Sequence, residues 1–227
     1  LHSFPTRRSS DLFRLGGDLG FSKDPSELVI DEETPDGIWT PFIRIHGEQI
    51  PYPIQAELIA ILDAMYVFAS IGFDRGNNGL SVYQLLTTLD RYRDLKLSSR
   101  LFAIDFGATL FVGFERNKDG EIVIDKPIKK YAKVFATELL NEALRKGKQR
   151  LPASDSEQES QFVTQVCSIS GSRITYSDGN DHILDGRRCQ ILAAWLLSSN
   201  PEEKALKRRP KAFSPSTFRN PLGRTYA

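Results

Sequence analysis

Cysteine is scarce in this chain, with two among 227 residues, Cys167 and Cys189. They form no framework of spacings and sit in apolar stretches, so they read as reduced core thiols of a cytosolic protein, not as disulfide staples. Cysteine and the three histidines show no zinc-ligand spacing. There is no G-x-S-x-G elbow and no G-x-x-x-x-G-K-[ST] loop, which removes the serine hydrolases and phosphate-loop nucleotide hydrolysis by this chain. No apolar run is long enough to span a bilayer; "ILAAWLL" is among the longest. The start of the chain carries no apolar leader. "GGDLG" is no dinucleotide fingerprint, because no helix follows it directly. There is also no internal repeat.

Acid is missing from one region. From Lys204 to Ala227 there are seven Lys or Arg and no Asp or Glu, so with +1 on the whole chain the preceding 203 residues carry −6. An acidic body with a basic tail fits a protein that handles a polyanion through a site holding carboxylates; a solvated tail is the plainer reading. Residues 204–227 are accordingly expected to be a basic, flexible tail. At the other end, "LHSFPTRRSSDL" from residue 2 onward resembles a reading-frame translation of a short-read sequencing adapter. Residues 1–12 are therefore set aside as an artefact, and the gene is expected to be truncated upstream of Phe13.

With 40% hydrophobic and 26% charged residues, what remains is ordinary for a globular chain long enough to bury a core. Residues 13–20 and "SELVIDE" read as strands about an "FSKDP" turn, in which Asp24 is a turn residue. "TPDG" is a further turn, and "IWTPFIRIHG" a third strand. "IPYPIQAELIAILDAMYVFAS" has helical spacing with proline at its start. "SIGFD" is a short apolar run of the buried parallel type. "LSVYQLLTTLDRYR" predicts a helix and "RLFAIDFG" a fifth strand. The order is β-β-β-α-β-α-β. Residues 109–126 then read as a hairpin about "KDG". "IKKYAKVFATELLNEALRKG" is an amphipathic helix ended by Gly147. "ESQFVTQVCSI" is a helix or strand, "SRITYS" a strand, and "GNDHILDGRRCQILAAWLLSS" the last helix.

Three acids stand at element ends: Asp18 in the first strand, Asp74 closing the fourth, and Asp181 opening the last helix. Ligands of α/β sheets bind in the crevice beyond the strand ends. Carboxylates gathered there repel one another unless a hard divalent cation, Mg²⁺ or Mn²⁺, takes them as ligands. Two such ions can activate water and hold the leaving oxygen of a phosphodiester. On this reading the glycines around Asp18 keep its approach clear. Each acid has a plain alternative. Asp18 suits a turn, Asp74 a hydrogen bond to the "RGNNG" backbone, and Asp181 a helix N-cap. Asp185, one turn further on, is either a further metal ligand or a solvent-facing acid. His182 reads as a packing or supporting residue before a ligand.

These stretches resemble a family. "GGDLGFSKDPSELVI", "IGFDRGNNGLSVYQLL" and "GNDHILDGRRCQILA" are similar to the three acidic motifs of the nuclease domain of tailed-bacteriophage terminase large subunits, in the same order, from about Arg14 to Leu197. The resemblance implies an α/β, ribonuclease H-like fold over residues 13–203. That fold is a mixed five-stranded sheet (three antiparallel, then two parallel strands) flanked by helices, with an inserted β-hairpin. It implies a DNA endonuclease cutting concatemeric viral double-stranded DNA during genome packaging, with Asp18, Asp74 and Asp181 as catalytic, metal-holding carboxylates and Asp185 as a further metal ligand. Two Mg²⁺ or Mn²⁺ ions are the implied cofactors. The implied partners are DNA, the portal protein, the terminase small subunit and a packaging ATPase domain, in the host cytoplasm and with no membrane. The ATPase domain is absent from this chain, so no ATP hydrolysis by it is expected. Gly186 departs from the family's small Ala, which is expected to loosen the last helix. Two other readings stay open: a non-catalytic docking module for a portal or capsid partner, and another ribonuclease H-like nuclease such as a junction resolvase.

Overall fold

The computed structural model describes residues 12–21, 24–76, 78–152, 168–170, 173–175 and 181–198. The expectations for residues 1–11, for residues 159–167 with Cys167, and for the basic tail lie outside the described residues.

The chain opens with β1 (Leu12–Asp18), β2 (Ser26–Glu33) and β3 (Trp39–Gly47), an antiparallel meander, followed by α1 (Tyr52–Tyr66). Next come β4 (Ser70–Asp74), α2 (Gly79–Thr88), two short 3₁₀ turns and β5 (Leu101–Ile104). The sheet order is β3-β2-β1-β4-β5, with β1, β4 and β5 parallel. That matches the mixed five-stranded arrangement expected from the sequence. A separate hairpin of β6 (Thr109–Arg116) and β7 (Ile122–Tyr131) follows, then α3 (Ala132–Arg145). β8 (Ser168–Ser170), β9 (Arg173–Thr175) and α4 (His182–Leu197) complete the described chain.

Several boundaries differ from the expected ones. The hairpin runs on through "IKKY", because Lys129, Lys130 and Tyr131 pair with Phe111, Leu110 and Thr109. That ladder holds the backbone extended to Tyr131, so the helix starts at Ala132 and not at Ile128. α2 stops at Thr88, where Leu89 turns extended, and a 3₁₀ turn then carries Tyr92 into the core. There its hydroxyl donates to Glu57 at 2.8 Å. β1 also begins one residue early, since Leu12 pairs with Glu33.

The period-two rule of strands sorts the sheet into two unlike faces. Phe13, Leu15, Ile71, Phe73 and Leu101 face α1 and α2, in one apolar core with Ile59, Phe68 and Val82. The alternate residues face α4. Among them are Gly16 and Gly72, which pair directly across β1 and β4. A Cβ built on Gly16 would stand 2.0 Å from the Gly186 carbonyl oxygen, and one on Gly72 would stand 2.3 Å from that of Cys189. The glycines therefore form a trough in which the backbone of α4 lies against the sheet. For Gly16 this corrects the expectation that the glycines around Asp18 keep its approach clear for metal and phosphate; Gly16 makes room for a helix.

Buried so closely, α4 has apolar residues on most sides: Ile183, Leu184, Cys189, Leu192 and Ala193 are all buried. Gln190 reaches from it to the carbonyls of Arg14 and Val29, at 3.1 and 3.3 Å.

Two substitutions test the trough. Gly16→Ala should lower unfolding free energy by about 1–3 kcal/mol, the usual effect of overpacking. Gly186→Ala meets nothing nearer than Val29 Cγ2 at 3.4 Å and should gain up to about 1 kcal/mol from helix propensity. Urea denaturation of both variants checks the pair; equal effects of the same sign would be inconsistent with the trough.

Candidate functional site

β1 and β4 are parallel and in register, Gly17 lying beside Phe73, so Asp18 and Asp74 end adjacent strands side by side. Both share the parity of Gly16 and Gly72 and so face α4. The trough brings the first turn of that helix over them. Asp181 occupies its N-cap position, yet its side chain makes no capping bond. Asp185, one turn on, is buried. The alternative of a solvent-facing Asp185 is thereby removed, and so is a capping role for the Asp181 carboxylate.

Each carboxylate already has a partner. His182 Nδ1 lies 2.7 Å from Asp18 Oδ2. The Gly76 amide donates to Asp74 Oδ1 at 3.2 Å, as the plain reading of Asp74 anticipated. The Lys133 ammonium bridges Asp181 Oδ2 at 2.9 Å and Asp185 Oδ2 at 2.8 Å. Arg188, fully buried, donates to Asp185 Oδ1 at 2.6 Å and to Thr137 Oγ1 at 2.9 Å, and stands 3.5 Å from Asp181 Oδ2. Asp18 also pairs across β1 and β2 with Glu27. That carboxylate is buried and taken up by Arg44 at 2.9 and 3.0 Å and by His46 at 2.6 Å.

The protonation of the pocket follows from burial and crowding. Burial pushes Asp74 up to about 6, the charges of Asp18 and Asp185 push the same way, and Gly76 and Lys133 oppose them. Burial likewise raises Asp185, against Arg188 and Lys133. For Lys133 burial favours the neutral amine, but Asp185 and Asp181 outweigh it and the ammonium is held above its ordinary value. The hydrogen bond to Asp18 raises His182.

Among the described residues, no three His, Cys, Asp or Glu side chains stand close enough together to hold a metal ion. Asp18, Asp74 and Asp185 are within electrostatic reach of one another, but each is turned to its own donor. The donor set still suits a hard divalent ion, being all carboxylate oxygen. Four acids face Lys133, Arg188 and an imidazole, which leaves a net negative pocket even with His182 protonated. Burial first, and the charges of Asp18 and Asp185 after it, raise Asp74.

The sequence reading missed Lys133, Arg188 and Glu27. Lys133 carried no signal while the helix was read from Ile128; only the start at Ala132 puts it in the first turn, against the macrodipole, where two carboxylates hold it. Arg188 carried a weak one, standing three residues after Asp185 on the same face. Glu27 had none, because strand pairing with Asp18 is a tertiary fact. Behind the pocket, Asp31 receives Arg187 at 2.9 Å, Gln149 at 2.8 Å and Arg14 at 3.4 Å, tying α4 to β1 and β2.

No protein-family model matches the chain, and no curated protein matches it. Solved structures do. The large terminase nuclease of thermophilic phage G20c with bound magnesium superposes with a TM-score of 0.52 at 13% identity, over 81% of this chain and 82% of that one. The same nuclease with bound cobalt gives 0.52 at 13% identity, over 81% and 82%. With bound zinc it gives 0.50 at 12% identity, over 81% of each chain. The chain therefore has the ribonuclease H-like fold of these nuclease domains.

Asp74 supplies a test in the absence of any divalent ion. Its folded pKa of about 6 lies above its ordinary value of 3.8, so ionising it opposes folding. Asp74→Asn should therefore melt with the wild type below about pH 4, gain on it between about pH 4 and 6, and hold a constant lead above that. Discounted for its partial exposure, the lead is on the order of 1–2 kcal/mol, or roughly 2–8 °C in melting temperature. A melting series from pH 4 to 8 reads it; a lead that shrinks as pH rises refutes the crowded pocket.

Proposed function

We propose that the chain is a metal-dependent endonuclease that cuts double-stranded DNA during viral genome packaging. One observation carries the reading. Asp18 and Asp74 end adjacent parallel strands in register, beneath the helix start that brings Asp181 and Asp185, and Asp74 is pushed to about 6 by burial and its acidic neighbours. An arrangement that raises its own electrostatic energy without evident structural return is the kind found at functional sites. The shared fold, in a nuclease with bound magnesium, supports it.

Asp18, Asp74, Asp181 and Asp185 would hold the ions. A divalent ion bound there supplies Lewis acidity toward a phosphodiester and lowers the pKa of water. The chain's own groups do the rest. Gly76 fixes the Asp74 carboxylate, and His182 fixes that of Asp18. Lys133 and Arg188 hold Asp181 and Asp185 in place while they offset two of the four charges. The trough beneath α4 keeps these anchors at one depth. By the same resemblance the host cytoplasm is the proposed location. The proposed partners are the portal protein, the terminase small subunit and a packaging ATPase domain. No described helix is long and apolar enough to cross a membrane.

Supercoiled plasmid incubated with the purified chain and Mn²⁺ or Mg²⁺ should be nicked and linearised, and EDTA should stop it. Asp18→Ala and Asp74→Ala should each slow cleavage roughly a hundredfold or more while keeping the wild-type circular dichroism spectrum. Full activity in either variant, or metal-independent cutting, would reject the assignment. A four-way junction cut in preference to linear duplex would point to a resolvase.

A further inference from the structure

The sheet ends at β5, and among the described residues no strand pairs with its outer side. A cavity of about 440 Å³ lies along it. Leu101, Phe102, Ala103 and Ile104 all line this cavity. Consecutive strand residues point to opposite faces, so a cavity touching all four runs along the edge itself. Its walls come from both layers: Leu80 and Tyr83 of α2 on the face of Leu101, and Leu192 and Leu196 of α4 on the face of Phe102.

The backbone agrees. The carbonyls of Arg100 and Ile104 accept bonds from Ile71 and Arg75, toward β4. The alternation of a parallel strand then turns the amides and carbonyls of Leu101 and Ala103 toward the groove. At the end of β5, Arg75 and Asp105 stand 3.9 Å apart at the mouth, more than half exposed, and offer one charge of each sign.

We propose that this groove receives an extended apolar segment of a partner protein, which adds to the sheet as a sixth strand beside β5. Strand addition draws affinity from main-chain hydrogen bonds and specificity from pockets for alternate side chains. Both are present: two outward peptide groups on the floor, and an apolar wall on each side. The walls call for apolar residues on both faces of the incoming strand, three or four in succession to match the four residues of β5. A charged residue past one end of that run lies beside the Arg75–Asp105 ion pair. The inference is independent of the nuclease reading, since it uses none of the four carboxylates.

The test uses the full chain and one probe, the acetylated peptide Lys-Val-Ile-Val-Leu-Lys, followed by fluorescence anisotropy and amide NMR. Binding should shift the amides of Leu101 and Ala103 and slow their exchange. The same peptide N-methylated at alternate residues should bind at least about tenfold more weakly, because it cannot complete the ladder. Ala103→Pro removes an outward amide without touching the pairing with β4, as proline is tolerated on an edge. It should keep the wild-type melting temperature and weaken binding by a similar factor. Tyr83→Ala, which opens one wall, should weaken it as well. No binding at millimolar peptide overturns the proposal. Binding indifferent to both N-methylation and Ala103→Pro also overturns it, and would mark the cavity as a pocket for a side chain or small molecule.

Discussion

The seating of α4 on the sheet is the constraint from which the rest of the molecule follows. Helix and sheet approach so closely because Gly16 and Gly72 stand side by side and present no Cβ to the backbone of Gly186 and Cys189. Close seating sets the height of the helix start above the ends of β1 and β4. Asp181 and Asp185 thus belong to the same pocket as Asp18 and Asp74, from positions more than a hundred residues apart in the chain. Gln190, and the ion pair of Arg187 with Asp31, fix the register of the helix along the trough. A side chain at either glycine would lift the helix and separate the acids.

That placement gathers like charges in a half-buried volume, and the chain answers with its own cations. Lys133 and Arg188 neutralise the helix-borne acids, while His182 attends Asp18. Among the described residues Asp74 is met by a backbone amide, and burial raises it to about 6. A second buried cluster lies deeper, around Asp31. There Arg14 loses much of its hydration and falls to about 10, although Asp31 opposes the fall. The two clusters divide the labour: the deeper one is closed over by Trp39, which stacks on Arg14 at 4.2 Å, and holds the frame. The shallower one is partly open to solvent, the Asp18 and Asp181 side chains being 19% and 18% exposed.

Much of the fold was legible because its elements are short and strongly patterned. The meander showed in the turn residues between apolar runs, and β4 in an apolar pentad that ends in Asp74. The misread boundaries share a cause. "IKKY" has helical composition, yet ladder pairing with Phe111 and Leu110 overrides propensity. "LDRYR" continues the helical period of α2, but burial of Tyr92 against Glu57 favours a tighter turn. Asp18 and Asp74 stood out for another reason: a charge at the end of an apolar strand has few structural uses. Lys133 and Glu27 did not, because their meaning lies in what faces them.

The sequence by itself determined the order of the elements, the candidates Asp18, Asp74, Asp181 and Asp185, and the absence of serine-hydrolase and phosphate-loop motifs in this chain. These follow from local periodicity and from the identity of single residues. Only the tertiary structure decided that Gly16 serves a helix, that the acids are held by Lys133, Arg188 and His182, and that β5 leaves an apolar groove along its edge. Each of those rests on the distance between segments remote in the chain, and distance across a fold is set by packing, which no local pattern encodes.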